Sequence, residues 1–408
     1  MERLLILLPS TGYRAGAFLD AARALGVEVI VGCDEPPVLS GTAKAVEVAL
    51  ADPDAAARSI VEIDAVTPLD AIVAVDDQGV VAAAEGSAQL GLRYSPRSSV
   101  EAAIDKLAMR KLLDAAEVRQ PEFSPLRGGA SLDEVDEAVG SVGLPCVIKP
   151  TCLSGSQGVI RADTRDGARS AAKRVRSIAD LAGVDASAPL LVERFVVGQE
   201  VAVEGILHDG DLSVVAVFDK PDPLEGPFFE ESIYVTPSRL PRRDLHAVIE
   251  TTRSTVRALG LTQGALHAEL RVKDAKASLI EIAARSIGGM CSNAMRFGDG
   301  RSLEYLILAE ALGRRVEIER SEEASGVLML SIPRAGTFVG LRGERDALEV
   351  DGITGVDVRV APGRPVRPVP EGDRYLGFVF ARATSPDAVE AALREARDLI
   401  DVVVDGSI

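Results

Sequence analysis

The spacing of apolar positions changes several times along the chain, and each change marks an element. Leu4 to Leu8 is an unbroken apolar run, short enough for a strand buried on both faces. A Ser-Thr-Gly loop follows, then a helical pattern from about Gly16 to Leu25 and a strand from Val27 to Val31. Ala71 to Val75, ending in Asp76-Asp77, reads as another buried strand, and Leu92 to Tyr94 as a short one. Strands alternating with helices predict a small parallel sheet over roughly the first 95 residues. The loop from Thr11 to Gly16 lacks the G-x-G-x-x-G spacing of a dinucleotide fingerprint and reads as an ordinary strand-to-helix turn.

Beyond it, Ser98-Ser-Val-Glu101 has the form of a capping box opening a helix to about Ala116, which contains Lys106. A helix from Ser131 to Val142 leads into the strand Leu144 to Pro150, which carries Lys149, and a further helix spans about Arg165 to Ala182. Leu190 to Glu200 reads as two strands with a bend at Gly198. The last part predicts strands near Val327 and Phe378, a Pro/Gly/Arg-rich loop from Ala361 to Gly372, and a helix from Pro386 to Ile400.

The most informative alternation lies in Gly264 to Arg285. Period two sets His267, Glu269 and Arg271 on one face of a first strand, and Glu281, Ala283 and Arg285 on one face of a second. With the turn centred near Ala275, Glu269 faces Glu281, and like charges so placed repel. A divalent cation removes that penalty, since hard carboxylate oxygens are what Mg²⁺ takes while it holds phosphate. The bland alternative is a solvated hairpin face. Small Ala265, Ala283 and Ala284 argue against it, and Gly288-Gly289 soon after Arg285 suggest backbone close to a ligand. His267 alone fits a hydrogen-bonded sheet histidine as well as a catalytic one.

Length and composition narrow the setting. A chain of 408 residues, 47% apolar, predicts two to four lobes of globular α/β structure. A net charge of −17 speaks against nucleic-acid and anionic-membrane partners, though not against a small anion met by local basic groups. Cys33, Cys146, Cys152 and Cys291 form no CxxC pair, which predicts free thiols in a reducing cytoplasm. With only His208, His246 and His267 available, a zinc site is disfavoured. The opening apolar run is too short for a signal peptide, so the expectation is a soluble cytoplasmic protein.

Two further stretches suit a nucleotide. Lys149 precedes Thr151-Cys-Leu-Ser-Gly-Ser-Gln-Gly158, where glycines let N–H groups converge on phosphate oxygens and Ser154 and Ser156 add hydroxyls; a plain Gly/Ser turn is the alternative. Glu193-Arg-Phe-Val196 could offer backbone groups to adenine and Glu200 could accept from ribose, although a half-buried strand pair with charged edges fits equally.

The order of these pieces resembles the ATP-grasp superfamily throughout: Lys106, then Lys149 before its Gly/Ser loop, an acid-bearing hinge from Glu193 to Glu204, then the HxE and ExxxR strands. Within it, Leu153-Ser-Gly-Ser-Gln-Gly-Val-Ile160, Phe218-Asp-Lys-Pro221, Phe228-Phe-Glu-Glu-Ser232 and Glu281-Ile-Ala-Ala-Arg-Ser-Ile-Gly-Gly289 look most like carboxylate–amine ligases that include L-amino acid ligases. The resemblance implies an ATP-grasp fold of α+β lobes with a Rossmann-like pre-ATP-grasp domain (1–97), a small lobe (98–189), a large lobe (190–318) and a C-terminal α/β segment (319–408). It implies that Lys106 and Lys149 contact phosphates, that Ser154, Gly155, Ser156, Gln157 and Gly158 form a flap, and that Glu193, Arg194, Phe195 and Val196 hold adenine. Glu200 would bind ribose, and Glu269 and Glu281 would bind Mg²⁺, or Mn²⁺ in its place. Ala283 stands where many relatives carry Asn, so a second metal ion would lean on Glu281 and phosphate oxygens.

The implied reaction is attack of a substrate carboxylate on the γ-phosphate of ATP, then attack of an amine on the acyl phosphate. Arg285 and the Gly288-Gly289 backbone would hold the oxyanion, with His267 a further catalytic candidate. Phe228, Phe229, Glu230, Glu231 and Tyr234 either line the acceptor side or form a surface loop. The substrates would be a small acid and amine, amino acids by resemblance, and a homodimer is a family-level expectation. The alternatives are a biotin-carboxylase-like enzyme using bicarbonate and a non-catalytic nucleotide-binding protein.

Overall fold

The computed structural model describes residues 1–9, 14–35, 44–297, 300–315, 318–319 and 323–406. Its first sheet is parallel, in the spatial order Lys44–Glu47, Glu28–Cys33, Arg3–Leu7, Ala71–Ala74. The helices Ala15–Leu25, Pro53–Val66 and Asp77–Leu90 connect and cover it. The central strand Arg3–Leu7 and its neighbour Ala71–Ala74 are nearly all buried because both faces are covered, whereas the edge strand Lys44–Glu47 has no buried residue. Lys44–Glu47 and Pro53–Val66 were not foreseen, whereas the strand expected at Leu92 to Tyr94 does not form. That segment leaves the sheet after Gly91 caps the helix and runs to Ser95, whose hydroxyl bonds the Gln263 carbonyl at 2.9 Å. Residues 11–13 of the loop expected between Thr11 and Gly16 lie outside the described residues.

The helix expected from Ser98 to Ala116 is two helices, Arg97–Ile104 and Lys106–Ala115. Pro96 starts the first, with no side-chain cap, so the capping box does not form there. Asp105 breaks the run in extended conformation and accepts from the Leu107 and Ala108 N–H groups. Lys106 thereby opens the second helix, and its own N–H bonds the Thr151 carbonyl at 2.8 Å.

The small lobe is an antiparallel sheet in the order Phe123–Leu126, Leu190–Arg194, Cys146–Pro150, Ile160–Ala162, backed by Leu132–Val142 and Arg165–Leu181. The capping box at Ser131 and Glu134 does form. Leu190–Arg194 pairs with Cys146–Pro150, so the small lobe reaches past the boundary expected at residue 189.

The large sheet is antiparallel and eight-stranded: Lys276–Ala283, Gly264–Lys273, Gln199–His208, Asp211–Asp219, Ile233–Thr236, Ala324–Leu330, Gly377–Ala383, Ile353–Val358. The C-terminal segment therefore completes the same sheet that carries the acidic hairpin, with Pro386–Leu399 packed on it. Gly336–Arg342, Pro365–Val366 and Asp401–Asp405 form a further small sheet. Among the described residues, no helix is long and apolar enough to cross a membrane. Cys33, Cys146 and Cys291 are buried free thiols, and Cys152 is an exposed one.

Candidate active site

The hairpin register pairs Glu269 with Glu281 and His267 with Ala283. It does so by a route the alternation alone does not give. The turn holds two residues, Asp274 and Ala275, both at positive φ (52° and 58°), between Lys273 and Lys276. A bulge then inserts Ile280 between the Leu270–Leu279 and Glu269–Glu281 pairs. Without that extra residue Glu281 would point to the opposite face. The Ile280 carbonyl accepts from Arg110 Nη2 at 2.7 Å, so the bulge is tied to the helix beside it.

A cavity of about 490 Å³ lies where the N-terminal domain, both lobes and the C-terminal segment meet. Lys149, Ser154 to Ser156, Glu193 to Val196, Glu200, His267, Glu269, Glu281, Arg285, Gly288 and Gly289 all line it. Lys106 and Gln157 line an adjoining cavity that shares Leu153, Ser154 and Glu281 with the first. Gly158 lines neither described cavity; its N–H instead bonds the Pro370 carbonyl at 2.9 Å, and Gln157 Nε2 donates to the Glu371 carbonyl at 3.1 Å. The flap thus rests on the C-terminal loop.

On the small-lobe side, Glu193 is a buried anchor between Lys149 Nζ at 2.8 Å and Arg110 Nε at 2.6 Å. Burial alone would raise the Glu193 pKa, but Arg110 and Lys149 outweigh it and hold the carboxyl below its usual range. Burial pulls the Lys149 ammonium down, against the attraction of Glu193 and with repulsion from Arg110 and Lys106. Lys106 Nζ lies 3.0 Å from Glu281 and donates to the Leu153 carbonyl at 2.7 Å. Much of the backbone expected to meet adenine is already engaged. Arg194 N–H bonds Glu122 O, Phe195 N–H bonds Pro145 O, and the Val196 carbonyl accepts from Arg271 Nη1 at 2.9 Å. The Phe195 ring sits between the guanidinium groups of Arg161 (4.3 Å) and Arg271 (4.7 Å).

On the large-lobe side the charges are arranged differently. Lys220 Nζ reaches Glu231 at 2.6 Å, Glu200 at 2.9 Å and Glu269 at 3.3 Å. These three carboxylates are close enough to surround a cation, and the ammonium is that cation. Glu200 also accepts from Arg271 Nε at 2.8 Å, and Glu231 from the Tyr234 hydroxyl at 2.5 Å. His267 bridges Glu204 through Nδ1 and Glu269 through Nε2, the latter at 3.2 Å. Burial disfavours its charged form, yet Glu204 and Glu269 more than compensate and lift its pKa to about 9. It is an imidazolium at neutral pH, which suits orienting Glu269 and does not suit a general base.

Arg285 makes a two-point contact with Asp77 of the N-terminal domain, at 3.0 and 2.8 Å, and Nη1 donates to the Ser286 carbonyl. Asp77, Glu204, Lys220, Arg110 and Arg271 were thus not assigned a role from sequence, although Asp77, Glu204, Lys220 and Arg271 fall inside stretches already singled out. Arg110 gave no signal, being one arginine on an amphipathic helix. Of the expected acceptor residues, Phe229, Glu231 and Tyr234 line the cavity. Phe228 packs against the small-lobe core under Arg174.

Family models match in chain order: the ATP-grasp N-terminal domain over residues 19–93, the ATP-grasp domain over 142–294, and the L-amino acid ligase C-terminal domain 2 over 328–405. The chain carries an ATP-grasp domain behind an ATP-grasp N-terminal domain, and its fold is the ATP-grasp fold. Within that class it resembles L-amino acid ligases. It is 29% identical to alanine–anticapsin ligase of Bacillus subtilis over 248 residues, which is 57% of this chain and 51% of that protein. It is 25% identical to dapdiamide A synthase of Enterobacter agglomerans over 62% of this chain and 61% of that one. The chain thus spans about half to three-fifths of the length of these curated relatives. Its fold matches an L-amino acid ligase from Bacillus licheniformis with a TM-score of 0.84, at 24% identity over 100% of this chain and 99% of the other.

Proposed function

We propose that the protein is an ATP-dependent carboxylate–amine ligase that joins amino-acid substrates through an acyl phosphate, releasing ADP and phosphate. One observation carries this reading: a single cavity has basic groups and a Gly/Ser flap at one end, and carboxylates with an aromatic wall at the other. The first end suits phosphates and the second suits a divalent cation and an amine. The names of the relatives support the class of reaction.

The donor set fits Mg²⁺. Glu269 and Glu281 offer hard oxygens from paired strands at the cavity wall, and His267 and Lys106 hold one carboxylate each. Such an ion would neutralise phosphate charge during transfer. Lys149 and Lys106 attract the phosphate chain, and the flap excludes water that would hydrolyse the acyl phosphate. Arg285, with the Gly288-Gly289 backbone nearby, offers N–H groups to the oxyanion formed when the amine attacks. Glu231, beside the Tyr234 hydroxyl, offers a carboxylate to the ammonium of an amino acid.

The test is phosphate release from Mg·ATP across pairs of amino acids, with and without bicarbonate, and mass spectrometry of the products. Release that needs an amino acid and yields an amide supports the ligase. Release driven by bicarbonate alone makes it a carboxylase, and nucleotide binding without turnover across the panel leaves a ligase of an acid–amine pair outside the panel or a binding protein.

A further inference from the structure

We propose that Lys220 is a positioning residue that sets the spacing, along the acidic wall of the cavity, between the metal-side acid Glu269 and the acceptor-side acid Glu231. The inference rests on the ligase reading. Lys220 directly follows the strand Asp211–Asp219, and its side chain is only 3% exposed. It is not among the residues that line the cavity, so it acts from behind the wall. Its three acidic partners do line the cavity and come from separate elements: Glu200 from Gln199–His208, Glu269 from Gly264–Lys273, and Glu231 from the segment before Ile233–Thr236.

The geometry is that of a hub. Each carboxylate turns an oxygen to the one ammonium, while Arg271 takes the other oxygen of Glu200. The Tyr234 hydroxyl meets the same Glu231 oxygen as Lys220, and the ammonium stands 5.1 Å from that ring. Ligand oxygens of the three acids lie within 4.8 Å of one another, a separation at which they repel strongly in a partly desolvated wall. Remove the ammonium and the acids must splay. Glu269 would then leave the line it shares with Glu281, and Glu231 would leave the acceptor end. The ligase reading assigns these acids separate tasks; the hub makes their positions interdependent.

The test compares wild type, Lys220→Met, Glu231→Gln and the double variant. Each is titrated with Mg²⁺ and the β,γ-imido analogue of ATP by calorimetry, and thermal unfolding is recorded alongside. Lys220→Met is expected to weaken binding about tenfold or more, as loss of an outer partner of a metal ligand does. Adding Glu231→Gln is expected to recover most of that loss, because it removes the acid that repels Glu269 without touching the nucleotide end; the two changes are then strongly non-additive. Unchanged binding in Lys220→Met overturns the proposal. So does equal weakness in the single and double variants with a common fall in unfolding temperature, which is a merely structural role. Failure of wild type to bind Mg²⁺ and the analogue overturns the ligase reading itself, and is seen before any variant is made.

Discussion

The two charged clusters on opposite sides of the cavity have opposite imbalances. On the small-lobe side, Arg110 and Lys149 share one carboxylate, Glu193. On the large-lobe side, the carboxylates Glu200, Glu204, Glu231 and Glu269 face the cations Lys220, Arg271 and His267. One side has base in excess and the other acid in excess. An incoming anion is drawn to the first and a cation to the second, which is the polarity the proposed ligase needs to set a nucleotide's phosphates against a metal ion and an amine. The clusters also differ in depth. Arg110, Lys149 and Glu193 have side chains 0–4% exposed, while Glu231 and Glu269 are 19% and 20% exposed. The second cluster therefore opens to ligand through those two acids, while its Glu204, Lys220 and Arg271, 1–4% exposed, are as deep as the first.

That difference predicts where substitutions act. Glu193→Gln leaves two buried basic groups without their counter-ion, and a buried pair broken on one side costs about 3–5 kcal/mol. Denaturant unfolding is expected to register that loss. A change below about 1 kcal/mol would mean the small-lobe cluster is no more structural than its counterpart. Arg285→Ala is expected to act on the chemistry instead. Turnover falls about 10²–10³-fold, the magnitude of losing an oxyanion donor, while binding of the imido analogue of ATP stays near wild type. Equal losses in binding and turnover would move Arg285 from the oxyanion to the nucleotide.

The sequence made the hairpin legible because alternation survives any context: Leu266, Ala268 and Leu270 are wholly buried while His267, Glu269 and Arg271 form the opposite face. It also made Lys149 and its loop legible, since a lysine ending a strand before glycines and serines is a local pattern. The Ile280 bulge was not legible, for nothing in Ser278-Leu-Ile-Glu281 distinguishes one strand residue from an inserted one. Nor were the partners of the acids. Lys220 meets Glu200 across the hairpin of Gln199–His208 and Asp211–Asp219, but meets Glu269 only because the distant strand Gly264–Lys273 pairs with Gln199–His208, and Arg285 meets Asp77 across a domain boundary. The break at Asp105 was not marked by any glycine or proline, and the capping box put the helix start at Ser98, two residues after the observed cap Pro96.

A smaller effect is expected at Asp77, where the N-terminal domain lends an acid to the site. Burial alone would raise its pKa, but Arg285 outweighs it and holds the carboxyl below its usual range. Such a group stabilises the fold above its unfolded value of about 3.9, and that contribution is lost as pH falls through the lower folded value. Asp77→Asn is therefore expected to cost about 1–2 kcal/mol from neutral pH down to about 5, with the gap to wild type closing below about pH 4. A gap that persists at the lowest pH reached would show that the amide's shape, and not the lost charge, causes it.

The weakest expected effect separates charge inside the cavity from charge outside it. Arg174 and Glu371 clasp the small lobe to the C-terminal loop at 2.7 and 3.0 Å, with side chains 45% and 32% exposed. Solvent screens such a pair, so Glu371→Ala is expected to cost no more than about 1 kcal/mol. The flap's own bonds to this loop use the Pro370 and Glu371 carbonyls, which the substitution keeps. The KM for Mg·ATP should therefore move less than about threefold, a shift of about 0.7 kcal/mol at most. Whatever change remains should fade in 1 M salt, where the screening length is about 3 Å. If Glu371→Ala instead raised that KM tenfold in high salt as in low, flap docking through the C-terminal loop would control nucleotide binding, and the contrast between the two wall clusters would not by itself account for how ATP is held.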